Sequence, residues 1–532
     1  MIGADMELVY LWVEDYKNIH KQGFNFSPKF NCNYDPDTNE LTIDENDDYI
    51  ENFFGDNINV TAIVGKNGSG KSSLLELIQM DSYENPIKNP YPISFLDLKE
   101  VRVYYRKEEN KLYMYENELA VILNTELTIE SIEDISNESF DKVFIKPAPS
   151  HEQKEYVWLL DFLKNNQINF PFSVPQFIGI GIHDDYYDLL EIIKSVEFEF
   201  HTIYSAFEED KDKRIKIFHV ILLIAYLKNH SIDFSIEANE DHNITIEKLE
   251  SYIPDNMTIL ITNFIDAIST NLESFSQNPN HYLDINKIPL DFFEIYKKIV
   301  VKKHNDEDFF DFRGKQVFTF NFFRPLSDGE YQSIYLFSQI YSEKMELNNI
   351  QLLIDEGENF LHPNWQKKYL GNLIKFLRNN YTDKKIHLIV TTHSPFLLSD
   401  IPKQNIIFLD KDEKGNCKVV NGLKEKKQTF GANIHTLLSD SFFMEDGLMG
   451  EFAKEKIEEV INYLNNQDSP IENNDEAQKL IDIIGEPIIR NQLQKMLDSK
   501  RLSKIDEIDS IKREILNLQN RMQEIENADD KS

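Results

Sequence analysis

The stretch GKNGSGKS at residues 65–72 constrains the fold of this chain more than any other feature of its sequence. It follows the β-branched run NVTAIVG and precedes SSLLELIQM, in which apolar residues recur at the spacing of a buried helical face. Glycines between a buried strand and a helix let backbone N–H groups turn inward and cradle phosphates, and the helix N-terminus adds its dipole. The pattern predicts a phosphate-binding loop in an α/β fold.

Each position of this loop has an expected part in nucleotide binding. Lys71 is placed to neutralise the β- and γ-phosphates, and Ser72 is placed to hold Mg²⁺. Such a loop does not by itself separate GTPases, kinases and ATPases, so other motifs must decide the reaction. The expected nucleotide contacts are Gly65, Lys66, Asn67, Gly68, Ser69, Gly70, Lys71, Ser72 and Ser73.

Two further buried strands are predicted to end in polar residues. IQLLIDEG delivers Asp355 and Glu356, and IHLIVTTHSP delivers His393. In an open α/β sheet, ligands bind at the carboxyl ends of the strands. We therefore expect Asp355 to hold Mg²⁺ and Glu356 to orient or deprotonate the attacking water. We expect His393 to donate to the γ-phosphate or to that water.

Together these motifs resemble the ATP-binding-cassette (ABC) class of ATPase heads, in its RecF/SMC-like branch. GKNGSGKS is similar to the Walker A motif of that family, LLIDE to Walker B, ENFLHP to the D-loop region and TTHSP to the switch histidine. LSDGE, at residues 326–330, is similar to the signature motif. The resemblance covers residues 1–182 and 313–445 and implies ATP and Mg²⁺ as ligands. The glutamine of the usual Q-loop has two candidates, Gln153 and Gln176.

The signature motif implies an assembly. In the family its serine and glycine, here Ser327 and Gly329, contact the nucleotide held by another protomer. The resemblance therefore implies a homodimer or a higher even-numbered oligomer. The residues themselves agree, because serine before a helical run is typical of an N-cap. Asp328 and Glu330 depart from the usual Leu-Ser-Gly-Gly-Gln, and these carboxylates near a triphosphate are expected to slow ATP-driven closure.

The order of the elements predicts an α/β fold: an ABC-type P-loop head split by a mainly helical insertion, with helical C-terminal layers. Residues 1–182 are expected to form the N-terminal lobe with the phosphate loop, and residues 313–445 the C-terminal lobe. Residues 183–312 lack glycine and show helical spacing, so they are assigned to the insertion. Residues 446–532 are assigned to the helical C-terminal region.

Apolar residues near the C-terminal end repeat by four and three. About two heptads are present, which fits a local helical hairpin or a contact with a partner but is short for an autonomous coiled coil. The repeating residues are Ile511, Ile515, Leu518, Met522 and Ile525.

The formal net charge of −36, from 56 basic and 92 acidic residues, works against non-specific binding to nucleic acid. Two basic runs, 211–216 and 297–304, are interpreted as solvated helix faces, with a nucleic-acid contact as the alternative. Cys32 and Cys417 offer neither a disulfide framework nor a zinc spacing. No signal peptide is visible, and VILLIAYL is too short to span a bilayer. These features predict a cytoplasmic protein with no membrane partner.

A narrower resemblance concerns residues 429–464, TFGANIHTLLSDSFFMEDGLMGEFAKEKIEEVINYL. This segment resembles the one that follows the head in PtuA-type ATPases of bacterial Septu and retron antiphage systems. The resemblance implies an ATPase that controls a separately encoded HNH nuclease. In the retron setting it also implies a reverse transcriptase and its RNA–DNA hybrid as partners.

Two other functions remain open for such a head. One is a RecF/SMC-like DNA-repair ATPase, which a continuous basic groove would favour. The other is an OLD-like nuclease, in which Asp410 and Asp412 would belong to a metal-binding Toprim domain. The stretch around them, NIIFLDKDEKGNCKVV, is better interpreted as a β-hairpin with a Lys-Gly-Asn turn. No HNH-like cluster is visible, so nuclease activity is expected in a partner.

Overall fold

The computed structural model of the chain divides it into two compact units, Met1–Phe443 and Met444–Ser532. The described residues are 6–79, 98–131 (except 108, 118 and 126), 141–145, 156–165, 170, 172–182, 211–230, 232, 246–275, 278–300, 317–322, 324–342, 349–420, 428–441 and 449–529.

The first unit contains eighteen described strands and ten described helices. Its strands are β1 Met6–Tyr16, β2 Ile19–Asn25, β3 Phe30–Asp35, β4 Glu40–Glu45, β5 Ile58–Gly65, β6 Glu100–Arg106, β7 Lys111–Asn117, β8 Ile122–Asn124, β9 Ile129–Ser131, β10 Asp141–Ile145, β11 Phe177–Ile182, β12 Leu272–Phe275, β13 Asn278–Asp284, β14 Phe318–Phe322, β15 Asn349–Asp355, β16 Lys385–Thr392, β17 Ile406–Lys411 and β18 Cys417–Val419. Its helices are α1 Lys71–Gln79, α2 Tyr156–Asn165, α3 Lys211–Asn229, α4 Ile246–Glu250, α5 Asp255–Asn271, α6 Phe292–Val300, α7 Asp328–Ser342, α8 Pro363–Asn380, α9 Pro395–Leu398 and α10 Ile434–Ser441.

The central sheet has the strand order β10-β15-β16-β5-β17-β18, and all its pairings are parallel except that of β18. Its inner strands are continuous apolar runs because both faces are covered, as is usual in parallel sheets. Leu352 belongs to the core on one face, which includes residues of α3, α5 and α8, whereas the next residue, Leu353, belongs to the core on the other face, which includes residues of α1. The predicted α/β fold with a P-loop head is confirmed.

The N-terminal strands form two antiparallel hairpins, as their alternating sequence predicts. The β1–β2 hairpin belongs to a five-stranded sheet of order β2-β1-β6-β7-β9, and the β3–β4 hairpin pairs with β8. One face of the five-stranded sheet packs on α1 through Leu11 and Tyr104, and the other packs on β3 and β4 through Trp12 and Val103. This sheet therefore covers the face of the central sheet on which α1 lies.

The segment predicted as a mainly helical insertion contributes helices α3 to α6 in its described part. It also contributes β12 and β13, which were not predicted. They belong to a four-stranded antiparallel sheet of order β12-β13-β11-β14, in which β13 pairs with β11. Aromatic rings join these helices to that sheet: Phe264 stacks on Phe292 at 4.5 Å and on Tyr296 at 5.3 Å, and Tyr296 stacks on Phe318 at 5.9 Å. Among the helices that the structure describes, none combines the length and the apolar character that a membrane span requires.

The two basic runs are exposed only in part: Lys211, Lys216 and Lys298 are exposed, whereas Arg214 and Lys297 are buried. Arg214 is 3% exposed, and Lys297 is 6% exposed and forms an ion pair with Asp161. Lys298 pairs with Glu294 within its own helix. The interpretation as solvated helix faces agrees with the exposure of Lys211, Lys216 and Lys298. It is wrong at Arg214 and Lys297, whose side chains are buried within the fold, and a nucleic-acid contact is contradicted at these two residues alone. Residues 301–304 lie outside the described ranges.

The second unit contains three described helices, α11 Glu451–Leu464, α12 Asn474–Asp482 and α13 Pro487–Asp529, as the predicted helical character after residue 447 requires. They share a small core that includes Val460, Ile481 and Leu497. The predicted heptad residues all lie within the single helix α13. Ile511, Ile515, Leu518 and Met522 are exposed, so among the described residues no second helix packs on the repeat as the other arm of a hairpin would. The alternative, a contact with a partner, stays a prediction.

Candidate functional site

The phosphate loop joins β5 to α1 in the geometry that its glycines permit. Gly68 and Gly70 have φ angles of 72° and 105°, in the left-handed region that disfavours side chains. Lys71 is buried, and its Nζ atom donates to the carbonyl oxygens of Gly65 at 3.1 Å and of Lys66 at 3.3 Å. Burial lowers the pKa of Lys71, and the neighbouring Glu356 carboxylate opposes that shift. The ammonium group is thus held by carbonyl oxygens of the phosphate loop itself.

The parallel register brings the ends of β15 and β16 beside this loop. Asp355 Oδ1 accepts hydrogen bonds from Thr391 Oγ1 at 2.5 Å and from Ser72 Oγ at 3.3 Å. A hydroxyl and a carboxylate oxygen in contact form the kind of sparse oxygen donor set that Mg²⁺ takes from proteins when phosphates supply further ligands. The residues predicted to hold the metal therefore have the chemistry that it needs.

Glu356 follows in an unusual backbone conformation. Its φ angle is 49°, and its N–H donates to Thr391 Oγ1 at 3.0 Å, which holds the residue in place. Its Oε2 atom accepts from Asn359 Nδ2 at 2.7 Å, and its Oε1 atom lies 3.2 Å from His393 Nε2. Burial and the nearby Lys71 lower the pKa of His393, so the imidazole is neutral at neutral pH. The carboxylate and the imidazole face the P-loop together.

Glu358 is part of this site and was missed from the sequence. It is 2% exposed, and its Oε1 atom accepts from Thr392 Oγ1 and from the His393 N–H at 3.2 Å. Its Oε2 atom and the hydroxyl of Tyr369 have no hydrogen-bond partner among the described residues. Burial raises the pKa of Glu358 to about 7. The side chain therefore fixes the loop that carries His393 to the segment after β15.

The signature segment forms a reciprocal cap at the start of α7. Ser327 N–H donates to Glu330 Oε2 at 2.8 Å, Ser327 Oγ donates to the same oxygen at 2.9 Å, and the Glu330 N–H lies 3.4 Å from Ser327 Oγ. Arg324 makes two hydrogen bonds to Glu330, at 2.8 and 2.9 Å. The Arg324 guanidinium and the donors of Ser327 lower the pKa of Glu330 to about 2 although burial opposes them. Glu330, which replaces the glutamine of the usual signature motif, thus places inside the cap a carboxylate whose negative charge is balanced by Arg324.

Ser327 and Gly329 differ in exposure. Ser327 is exposed, whereas Gly329 is buried, and a Cβ atom on Gly329 would lie 2.8 Å from the Phe360 carbonyl oxygen. Gly329 therefore has a packing requirement within its own chain. The expected contact of both residues with a second protomer stays a prediction, as does the Q-loop. Gln153 lies outside the described residues, and Gln176 is exposed before β11.

The stretch with Asp410 and Asp412 is a β-hairpin, as predicted. Strands β17 and β18 pair antiparallel, and Asp412 Oδ1 accepts from the backbone N–H groups of Lys414 and Asn416 at 2.8 Å each. Asp410 Oδ1 lies 3.4 Å from Lys66 Nζ in the phosphate loop. Both carboxylates thus serve the turn and the P-loop, and the described residues contain no cluster of three or more His, Cys, Asp or Glu that could hold a metal.

The hairpin also brings an unpredicted cation to the phosphate loop. A Cβ atom on Gly68 would lie 2.9 Å from Lys411 Nζ, and the Asn18 amide donates to the Gly68 carbonyl oxygen at 3.1 Å. No pattern in the sequence indicates that Lys411 lies at the phosphate loop, because its position depends on how β17 pairs with β5. Four elements therefore surround the loop: α1, the β1–β2 turn, the β17–β18 hairpin and the end of β15.

Comparisons with known proteins agree with a nucleotide-binding head. A family model described as "AAA domain, putative AbiEii toxin, Type IV TA system" matches residues 226–399, less than half of the chain. That range contains the signature segment, Asp355, Glu356 and His393 but not the phosphate loop. Over 188 residues the chain is 31% identical to the "Retron Ec83 probable ATPase" of Escherichia coli. The aligned region is 33% of this chain and only 29% of that protein.

A solved structure of RecF, the recombination mediator protein of the RecFOR pathway, is also similar. It covers 79% of this chain and 100% of its own, at 12% identity and a TM-score of 0.23, which is too low to establish a common arrangement. The fold and the family match nevertheless agree on the class of domain. The chain carries an α/β head of the ATPase-type P-loop NTPase fold.

Replacing Glu358 with glutamine tests the buried carboxyl group. Because burial raises its pKa from about 4.5 to about 7, the folded protein binds an extra proton between those values. The free energy of unfolding should therefore fall as the pH rises through that window, by about 3 kcal/mol. Glu358→Gln should lose this contribution. Thermal unfolding from pH 4 to 8, with exposed Glu413→Gln as the control, should show a flatter profile for Glu358→Gln alone; parallel profiles would contradict the assignment.

Proposed function

We propose that this protein binds and hydrolyses ATP with Mg²⁺, in a head-to-head dimer or a higher even-numbered assembly. The observation that carries the proposal is the network in which Asp355 joins Ser72 of the phosphate loop to Thr391. That network brings the Asp355 carboxylate, proposed to hold the metal, together with the Glu356 carboxylate and the His393 imidazole beside the phosphate loop.

Each residue of the site has its own proposed role in binding or hydrolysing ATP. Lys71 can exchange the carbonyl oxygens of Gly65 and Lys66 for the β- and γ-phosphates, which are stronger acceptors for a buried ammonium. Ser72 and Asp355 would hold Mg²⁺, which supplies neutralisation of phosphate charge when it is bound. Glu356 would orient a water molecule and take its proton, because its Oε2 atom is fixed by Asn359.

His393 is suited to a neutral role beside Glu356. Its lowered pKa keeps the imidazole uncharged, so Nε2 can donate one hydrogen bond or accept one without adding charge to the site. Glu358 holds the backbone of His393 and so fixes the distance of the ring from Glu356. We therefore assign Glu356 as the general base and His393 as the group that orients the water or the γ-phosphate.

ATP binding and turnover should separate in two variants. Lys71→Ala should abolish ATP binding, since the buried cation beside two phosphates is lost. Glu356→Gln should keep binding but reduce turnover by at least about 100-fold, the usual scale for a general base. Glu413→Gln, an exposed carboxylate on the β17–β18 turn, is the matched control and should behave as wild type. Equal hydrolysis rates for Glu356→Gln and wild type would exclude the role given to Glu356.

A composite site between protomers should show complementation. Ser327→Arg should bind ATP but not hydrolyse it, because the arginine would block the site of the facing protomer. Mixing Ser327→Arg with Lys71→Ala should restore about a quarter of wild-type turnover, since half of randomly formed dimers are mixed and each mixed dimer has one intact site.

Thr382→Arg is the matched control for this experiment. Thr382 is an exposed residue in the turn before β16, at the opposite end of the central strands from the phosphate loop, so the variant should be fully active alone. Thermal unfolding of Ser327→Arg should be measured as well, because the substitution also removes a helix cap worth about 1 kcal/mol. A mixture as inactive as its two parents would exclude the shared site.

We further propose that the ATPase belongs to a bacterial antiviral system of the retron or Septu kind, as a PtuA-type component that controls a separate HNH nuclease. The resemblance of residues 429–464 supports this assignment, and so does the similarity to the retron Ec83 protein over part of its length. In a retron setting the complex would also hold a reverse transcriptase and its RNA–DNA hybrid. Open and closed heads present different surfaces, which gives ATP a way to control a bound partner.

The two alternative functions receive less support from the described residues. A DNA-repair ATPase would use a continuous basic groove, yet Arg214 and Lys297 are buried and interrupt the two basic runs, in a chain of net charge −36. A nuclease of the OLD type would use Asp410 and Asp412, yet these residues contact Lys66 and the hairpin turn. The effector chemistry is therefore assigned to a partner.

The partner proposal is tested by co-expression with the neighbouring genes. A tagged copy should retain an HNH nuclease through gel filtration, with residues 183–312 and the segment after residue 447 as the proposed docking surfaces. In a retron setting it should also retain the reverse transcriptase and its RNA–DNA hybrid. If the protein purifies alone and phage resistance survives deletion of its neighbours, the effector-control proposal is wrong.

A further inference from the structure

The C-terminal part of α13 lies outside the packed core of its own unit. Leu493 and Leu497 are 3% and 0% exposed within that core, and Arg501 Nη1 donates to Gln478 Oε1 at 2.9 Å. By contrast, every residue from 507 to 523 is exposed. An isolated helical segment of this length is marginal in water, since most helical stability in proteins comes from packing of an apolar face. This segment therefore lacks the surface that would stabilise it.

Apolar residues form a single stripe along the exposed segment, which we call the tail stripe. Its residues are 50% to 62% exposed and alternate by three and four positions, which is the a and d spacing of a heptad. The tail stripe consists of Ile508, Ile511, Ile515, Leu518 and Met522. A stripe this narrow matches the seam between two helices rather than the broader face that packs on a domain.

We infer that the tail stripe packs against the same stripe of a second copy of this chain, parallel and in register, as a two-stranded coiled coil. With Ile508 at an a position, Glu507 is at g and faces Lys512 at e of the second copy. In the same sequence register, Glu514 at g faces the uncharged Gln519 at e. By two-fold symmetry the Glu507–Lys512 pair occurs twice, and no like charges face each other among the described side chains.

The apolar layers favour the parallel orientation over the antiparallel one. Parallel, in-register pairing places all five residues of the tail stripe opposite the stripe of the second copy. An antiparallel pair would place Ile511 opposite Met522 and Ile515 opposite Leu518, so only four of these five residues would meet the second stripe. Each arrangement gives two opposite-charge pairs among the described side chains, and exposed pairs add little stability, so the apolar layers decide the orientation.

The inference does not depend on the proposed ATP chemistry. The tail contains only about two heptads, so it is a weak dimerisation element by itself. A weak tail still acts strongly on the heads, because joining two chains at one point raises the effective concentration of every other contact between them. The coiled coil would keep two heads together in the absence of nucleotide.

Sedimentation of the full-length protein without nucleotide tests this association. Lys71→Ala should serve as the background, so that bound ATP cannot join the heads. The background protein should dimerise in a concentration-dependent way, and Ile515→Asp should be monomeric at the same concentrations. Leu516→Asp is the matched control, because Leu516 is an equally exposed apolar neighbour outside the tail stripe. A background protein that is monomeric throughout, or equal effects of both aspartates, would overturn the inference.

Cysteine cross-linking tests the orientation. The two native cysteines are buried, so an introduced thiol on the tail is the reactive one. Met522→Cys should form a disulfide-linked dimer under mild oxidation, because in a parallel coil the two copies of position 522 face each other. In an antiparallel coil they would be about 16 Å apart, and Met522→Cys would cross-link only when mixed with Ile511→Cys. That second result, or no cross-linking in either sample, would overturn the parallel assignment.

Discussion

The site depends on the parallel register of three neighbouring strands. Asp355 of β15 is level with Thr391 of β16, and Thr391 is level with Ile63 of β5, two residues before the phosphate loop begins. This register lets one carboxylate accept hydrogen bonds from Thr391 and Ser72 at once. A shift of one residue in β15 would turn Asp355 to the other face of the sheet and separate the metal site from the phosphate loop.

The parts of the site that the sequence predicted are those set by local pattern. The phosphate loop, the strands that end at Asp355 and Thr392, and the β17–β18 hairpin each follow from residues that are adjacent in the chain. The reciprocal cap of Ser327 and Glu330 also has a local signal, serine followed by glutamate three positions later, which was interpreted only as a simple N-cap. Patterns of this kind identify which groups meet a ligand because the groups lie at the ends of regular elements.

The remaining features depend on contacts between distant parts of the chain. Glu358 contacts Thr392 and His393, more than thirty positions away, so no spacing rule selects it. Lys297 looks like part of a solvated basic run until Asp161 is seen beside it. Strands β12 and β13 have polar sequences with weak strand character, and they form because the edge of β11 supplies hydrogen-bond partners to β13, which in turn pairs with β12. In each case tertiary contacts outweigh a local preference.

The cap at the start of α7 has a consequence for how the proposed dimer would distinguish nucleotides. The Ser327 hydroxyl has one hydrogen atom, which the Glu330 carboxylate accepts, and Arg324 keeps that carboxylate charged. The γ-phosphate of a nucleotide bound to the facing protomer would have to displace Glu330 as the acceptor of the Ser327 hydroxyl hydrogen. A diphosphate ends short of the γ position and offers no competitor there, so the serine would stay with its own helix. The helix cap would thus favour a nucleotide with a γ-phosphate over a diphosphate, without any contact to the base.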